Sequence, residues 1–144
     1  ILDGLVGSEM CIRDSNKPGE YELQNMELLA KNVFEPLREH VGKPIKINSF
    51  YRSAELNSAI GGSSKSQHCQ GRAIDIDDTY GHMSNADMYH WLKDNVDFDQ
   101  MIWEFGTEEN PNWVHVSYVD GDSNRKRCLQ AYKDENNKTK YKVI

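Results

Sequence analysis

The chain reads as an α+β domain, a mainly antiparallel sheet with helices packed against it. Three observations predict this. An amphipathic run with three- and four-residue steps opens the readable part of the chain. Short alternating segments follow it, each bounded by turn residues. Two such segments in the second half are separated by a loop of hairpin length, residues 106–112.

The amphipathic run places Leu23, Met26, Leu29, Ala30, Val33, Phe34, Leu37 and Val41 on one face of a helix of about five turns. Pro36 should kink it, because proline lacks an amide hydrogen and its ring crowds the carbonyl four residues back. Gly42 is the expected stop. Residues 44–51 alternate as a strand, and Ser53 is placed to cap a short helix over 54–60, with Glu55 in its first turn. Residues 61–66, rich in glycine and serine, form a flexible loop. Ala73-Ile74-Asp75-Ile76-Asp77 is a strand with isoleucines on one face and carboxylates on the other. Ser84 caps a helix with Met88, Trp91, Leu92 and Val96 inward. Residues 98–105 and 113–118 form the hairpin, and 127–132 pairs with 140–144.

At 144 residues the chain is long enough for one core. A net charge of −6 with no basic stripe excludes a nucleic-acid footprint, and the apolar runs are too short for a membrane segment. Cys11, Cys69 and Cys128 are odd in number and irregular in spacing, as in reduced thiols rather than a disulfide framework. Residues 1–15 show neither a convincing period nor a clean cap. The run from Leu5 to Ser15 resembles translated sequencing adapter, so 1–15 is taken as a non-native segment and 16–144 as the single domain. No secretory signal is legible, which leaves the place of action open between the cytoplasm and the cell wall. A monomer is the expected state.

The chemistry concentrates on residues 66–75. His68 and Asp75 are a possible ligand pair, and His115 completes a set of two imidazoles and one carboxylate, the donor set of catalytic zinc with an open position. Fe(II) accepts the same donors. A lone strand histidine is most often an ordinary hydrogen-bonded residue, so His115 gains weight only from His68 and Asp75. Cys69 is a weaker ligand candidate because its neighbour already fills the role. In a hairpin that keeps Met101 and Trp103 with Val114, Val116 and Tyr118, the opposite face carries Gln100, Ile102, Glu104, Trp113, His115 and Ser117. With Glu104 facing His115 in that hairpin, its carboxylate becomes a candidate general base for a hydrolytic water; the bland alternative is a surface or ion-paired glutamate. Arg52 can clamp a substrate carboxylate or form a surface salt bridge. Ser66 and Gln67 can donate to a peptide or simply shape the loop.

The pattern Ser66-x-His68-x-x-Gly71-x-Ala73-x-Asp75, followed by Trp113-Val114-His115, resembles the zinc peptidases of family M15, which include D-alanyl-D-alanine carboxypeptidases and phage L-alanyl-D-glutamate endolysins. The stretches 32–38, 51–53 and 102–106 look most like the phage-type branch, and the resemblance covers roughly 16–120. It implies that His68, Asp75 and His115 bind Zn²⁺, that Arg52 contacts substrate and that Ser66 lies near it. It also implies a scaffold like that of the Hedgehog signalling domain and peptidoglycan peptides as substrate. One position departs from the pattern. Well-known members carry the catalytic Glu or Asp three residues before the last ligand, where this chain has Asn112, and an amide cannot accept the proton. Either Glu104 takes that role or the protein is an impaired zinc- or wall-binding module. Among active readings, a D-Ala-D-Ala carboxypeptidase stands ahead of an endopeptidase.

Overall fold

A computed structural model describes residues 17–60 and 66–144. The adapter-like segment 1–15 and most of the Gly/Ser-rich loop lie outside the described residues. In chain order the elements are α1 (Glu20–Leu29), a π-helical stretch (Ala30–Phe34), α2 (Glu35–Val41), β1 (Lys46–Ser49) and α3 (Ala54–Ala59). A 3₁₀ turn (Gln67–Gln70), β2 (Ala73–Asp77), α4 (Asn85–Asn95), β3 (Gln100–Glu104), β4 (Trp113–Ser117), β5 (Arg127–Lys133) and β6 (Thr139–Val143) follow. The strands form one six-stranded sheet in the order β1-β2-β4-β3-β5-β6. Its pairings are antiparallel except β3 with β5, which run parallel.

The first helix runs through Pro36 by a local change of winding. Glu35 N–H bonds back to the Ala30 carbonyl, five residues away instead of four. This widened turn gives the pyrrolidine ring room and removes the need for an amide hydrogen at Pro36. The expected kink is therefore a π-bulge. Gly42 ends the helix in the left-handed region with φ 74°. Ser53 accepts from Leu56 N–H at 3.1 Å and Ser84 from Asp87 N–H at 3.1 Å, so both serines cap as their positions require.

The long helix and α4 pack against one sheet face. Leu29, Val33 and Leu37 from the long helix and Met88, Tyr89 and Leu92 from α4 pack against Ile74, Ile76, Met101, Trp103, Val114 and Val116. Leu23 falls outside this core and is largely exposed; Asn25 takes the inward position instead and donates to the Gln70 carbonyl at 2.8 Å. β1 is an exposed edge strand whose register slips between Ile47 and Ser49. The opposite sheet face carries only a small apolar cluster of Ile102, Leu129 and Ala131, with Phe105 against it.

The hairpin segregates its faces as its sequence requires: Met101 pairs with Val116 and Trp103 with Val114 on the core side. Ile102, not Glu104, lies directly opposite His115, and Glu104 pairs with Trp113. Alternation fixes the face of each residue, but any offset by two preserves it, so the direct pairing is set by the loop and not by the strand pattern.

Gly71 closes the 3₁₀ turn with φ 71°, and a Cβ there would stand 2.5 Å from the Glu22 carbonyl oxygen. The chain between His68 and Asp75 thus rests on the backbone of α1. Gly81 shares the left-handed conformation (φ 74°) but has open space around it. Gly81→Ala should cost about 1 kcal/mol from conformation alone, and Gly71→Ala more than about 2 kcal/mol because backbone must also move. Chemical denaturation of the two variants measures the difference; equal losses would contradict the contact.

Candidate metal centre and cleft

β2 and β4 are neighbours, and their register sets Asp75 opposite His115. His115 Nδ1 stands 3.0 Å from Asp75 Oδ1. The 3₁₀ turn brings His68 to the other oxygen, with Nε2 3.3 Å from Asp75 Oδ2. The ligand atoms of His68, Asp75 and His115 all fall within 4.8 Å of one another. The imidazoles meet edge to face, with centroids 5.1 Å apart.

The position of one ring hydrogen of His68 follows from its surroundings. Its Nδ1 is 2.7 Å from the Phe50 carbonyl, which can only accept, so Nδ1 carries the hydrogen. Nε2 is then the nitrogen left to face Asp75: it donates when the ring is protonated and offers a lone pair to a metal when the ring is neutral. That atom is buried, lacks a hydrogen-bond partner among the described residues and faces a carboxylate oxygen. In the neutral ring that lone pair faces an anion, which is repulsive unless a cation, a proton or a metal ion, lies between them. Two neutral imidazoles and a carboxylate suit Zn²⁺, and a backbone carbonyl holding the far nitrogen is the usual support of a ligating histidine. The residues present fit the metal.

Burial alone would raise the Asp75 carboxyl, yet its contacts with His115 and then His68 hold it well below the usual carboxylate range. Glu104 goes the other way: burial, and then the negative charge of Asp75, push it up to about 7. Two carboxylates in one cleft are thereby driven apart, one held as an anion and the other able to exchange a proton near neutrality. Asp77, on the same face of β2, accepts from Asn85 Nδ2 at 2.8 Å and stands apart from the metal set. Cys69 is also outside the set, and burial raises its thiol despite the opposing charge of Arg52.

A cleft of about 870 Å³ runs over the open sheet face. His68, Asp75, His115, Glu104, Arg52, Ser66 and Gln67 all line it, and Asn112, which is exposed, does not. Arg52 is anchored by its backbone N–H to the His68 carbonyl at 3.1 Å, while its Nε is buried with no hydrogen-bond partner among the described residues. Ser66 and Gln67 are engaged in shaping the loop. Ser66 Oγ accepts from His68 N–H at 3.2 Å, and Gln67 Nε2 donates to Asp99 Oδ2 at 2.9 Å. Asp99, almost fully buried, is held by Arg125 through Nε at 3.0 Å and Nη2 at 2.8 Å.

A protein-family model described as Peptidase M15 matches residues 4–117. The chain belongs to the peptidase M15 family. Membership implies a metallopeptidase acting on peptidoglycan, and the His68–Asp75–His115 set is the possible metal site that such an activity needs. The match begins within the adapter-like segment and ends with β4. A search of curated proteins returns no match. Among the described residues, no helix is long and apolar enough to cross a membrane.

Sequence reasoning missed cleft residues in and beside β3, β5 and β6: Phe105 just after β3, Arg125 just before β5, and Leu129, Lys133, Thr139 and Tyr141 on β5 and β6. Phe105 could not be found from alternation, which assigns it to the core face with Trp103. Its φ of 57° breaks the strand and turns the ring toward Trp113, 5.6 Å away. The others depend on the parallel β3–β5 pairing, for which the strand patterns carry no signal.

Two outcomes follow for the protein in solution. Zinc should bind at one equivalent, and His115→Ala should weaken it by about 100-fold or more, measured by competition with a chromophoric chelator. In the metal-free protein, the folded state holds the Glu104 proton more tightly than the unfolded chain does. Its contribution therefore turns unfavourable as pH rises from about 4.5 to about 7 and is constant above. Glu104→Gln should gain stability over wild type across that window, by at most about 3 kcal/mol. Denaturation midpoints at about pH 5 and about pH 8 check the sign; a pH-independent difference would contradict it.

Proposed function

We propose that the protein is a zinc-dependent peptidase of peptidoglycan stem peptides, acting as a D-Ala-D-Ala carboxypeptidase on the Hedgehog/DD-peptidase type of scaffold. The observation that carries this reading is the combination, in one cleft, of a three-donor centre with Glu104 at a raised pKa of about 7 and Arg52, whose guanidinium Nε has no partner among the described residues. His68, Asp75 and His115 would hold the metal. When bound, Zn²⁺ supplies Lewis acidity toward the scissile carbonyl and acidifies a water.

Glu104 is diagonal to His115 across the β3–β4 pair, a separation of roughly 7–8 Å between backbones that leaves room for a water between base and metal site. Its carboxylate takes a proton from the attacking water and returns it to the departing amine. A pKa near the working pH suits a group that must do both. Arg52 pairs with the terminal carboxylate of the peptide, where the planar guanidinium offers two parallel donors. Asn112 takes no part.

A second reading, cleavage of the L-Ala–D-Glu bond inside the peptide, is favoured by the length of the cleft, which continues past Glu104 to Thr139 and Tyr141 on β6. Digestion of purified muropeptides distinguishes the two: free D-Ala marks a carboxypeptidase, and new L-Ala and D-Glu ends mark an endopeptidase. Glu104→Gln should lower kcat by about 100-fold or more while zinc stays bound, and Asn112→Ala should change it less than about 2-fold. Zinc binding without cleavage of any wall peptide would identify a binding module. Normal turnover in Glu104→Gln would refute the assignment of the base.

A further inference from the structure

β5 and β6 lie beyond the matched residues 4–117, yet they build one wall of the cleft. The register explains how. β3 pairs with β5 so that Glu104 lies beside Ala131, and β5 pairs with β6 so that Ala131 lies beside Tyr141. With Trp113 opposite Glu104, one row across the sheet reads Trp113, Glu104, Ala131, Tyr141. Ala131 is fully buried and offers only a methyl group, so nothing in that row stands between the phenol and the carboxylate. Tyr141 is more than half exposed on the cleft wall, and partial burial and then the nearby Glu104 push its phenol up.

The next row on the same face holds Lys133 opposite Thr139. The Lys133 ammonium donates to Thr139 Oγ1 at 2.8 Å and lies 5.3 Å from the centroid of Phe105, the residue turned onto this face by its positive φ. Lys133 has no carboxylate in ion-pair range among the described residues, whereas Arg125, the other cation on this side, is consumed by Asp99. In a chain of net charge −6, the two cleft cations left without an acidic partner are thus Arg52, which follows β1, and Lys133 on β5. Four strand spacings separate β1 from β5, roughly 19 Å. An extended peptide of about five or six residues covers that distance.

We propose that the β5–β6 hairpin is the specificity wall of this cleft, with Lys133 pairing with a second carboxylate of an anionic peptide and Tyr141 packing on the peptide beside Glu104. This rests on the peptidase reading for the peptide's placement but concerns recognition, not the chemical step. It predicts a preference for peptides that carry an internal free carboxylate in addition to the terminal one.

The test uses the full chain loaded with zinc and two synthetic pentapeptides of the wall-stem type. They are identical except that the internal γ-linked glutamate carries a free α-carboxylate in one and a carboxamide in the other. Binding is read by tryptophan fluorescence, since Trp113 lines the cleft, and turnover by KM and kcat separately. Wild type should bind the carboxylate peptide about 10-fold more tightly. Lys133→Met should abolish the difference by raising KM for that peptide alone, and Lys133→Arg should restore it. Tyr141→Ala should weaken both peptides alike. Equal binding of the two peptides by wild type, or a preference that survives Lys133→Met, overturns the proposal. Selective binding without cleavage would refute the peptidase reading and leave this one standing; cleavage without selectivity would do the reverse.

Discussion

The site depends on one partly buried carboxylate shared by two imidazoles. Asp75 faces His115 at 3.0 Å and His68 at 3.3 Å, each through a different oxygen. An uncompensated anion at that depth would cost several kcal/mol, so these three side chains must arrive together. Each arrives by a different route. Asp75 and His115 are register partners on adjacent strands, which a sheet delivers without further help. His68 comes from a 3₁₀ turn and needs support. Phe50 supplies a carbonyl to its Nδ1, Asn25 holds the Gln70 carbonyl, and Gly71 lets the turn approach the backbone of α1. The helix layer on one side of the sheet therefore sets the loop that completes the site on the other.

The sheet separates two tasks by face. Isoleucine, valine, methionine and tryptophan side chains on the inner face meet the helices and supply the core. The outer face gives up that burial and carries polar groups at alternate positions instead. Glu104 shows what this costs and what it provides. A glutamate only 8% exposed, near a second anion, is raised to about 7, which disfavours its charged form and makes it a serviceable proton acceptor at neutral pH. Phe105 is a similar case. Its left-handed backbone costs about 1 kcal/mol, and in return an aromatic ring joins the cleft beside Trp113 and Lys133.

Much of this was legible in the residues. Alternation around Asp75, the serine caps at Ser53 and Ser84, the stop at Gly42 and the face shared by Glu104 and His115 all follow from local rules that burial enforces. What escaped has identifiable causes. Parity cannot distinguish register offsets of two, so Ile102 rather than Glu104 came to lie opposite His115. Pro36 announces an irregularity but not whether the helix bends or widens. Residue 105 violates alternation through a single dihedral. The contribution of Lys133 and Tyr141 depends on a parallel pairing between strands separated by residues 105–126, and no local pattern encodes which edge β5 joins.

Coordination of zinc by His68, Asp75 and His115 underlies every role proposed for the cleft. X-ray absorption at the zinc edge, recorded on the stoichiometrically loaded protein, tests it most directly. The predicted spectrum has a first shell of nitrogen and oxygen only, at about 2.0–2.2 Å, with the outer-shell scattering of two imidazoles. A sulfur scatterer at about 2.3 Å would bring Cys69 into the site, and fewer than two imidazoles would remove His68 or His115; either result contradicts the account.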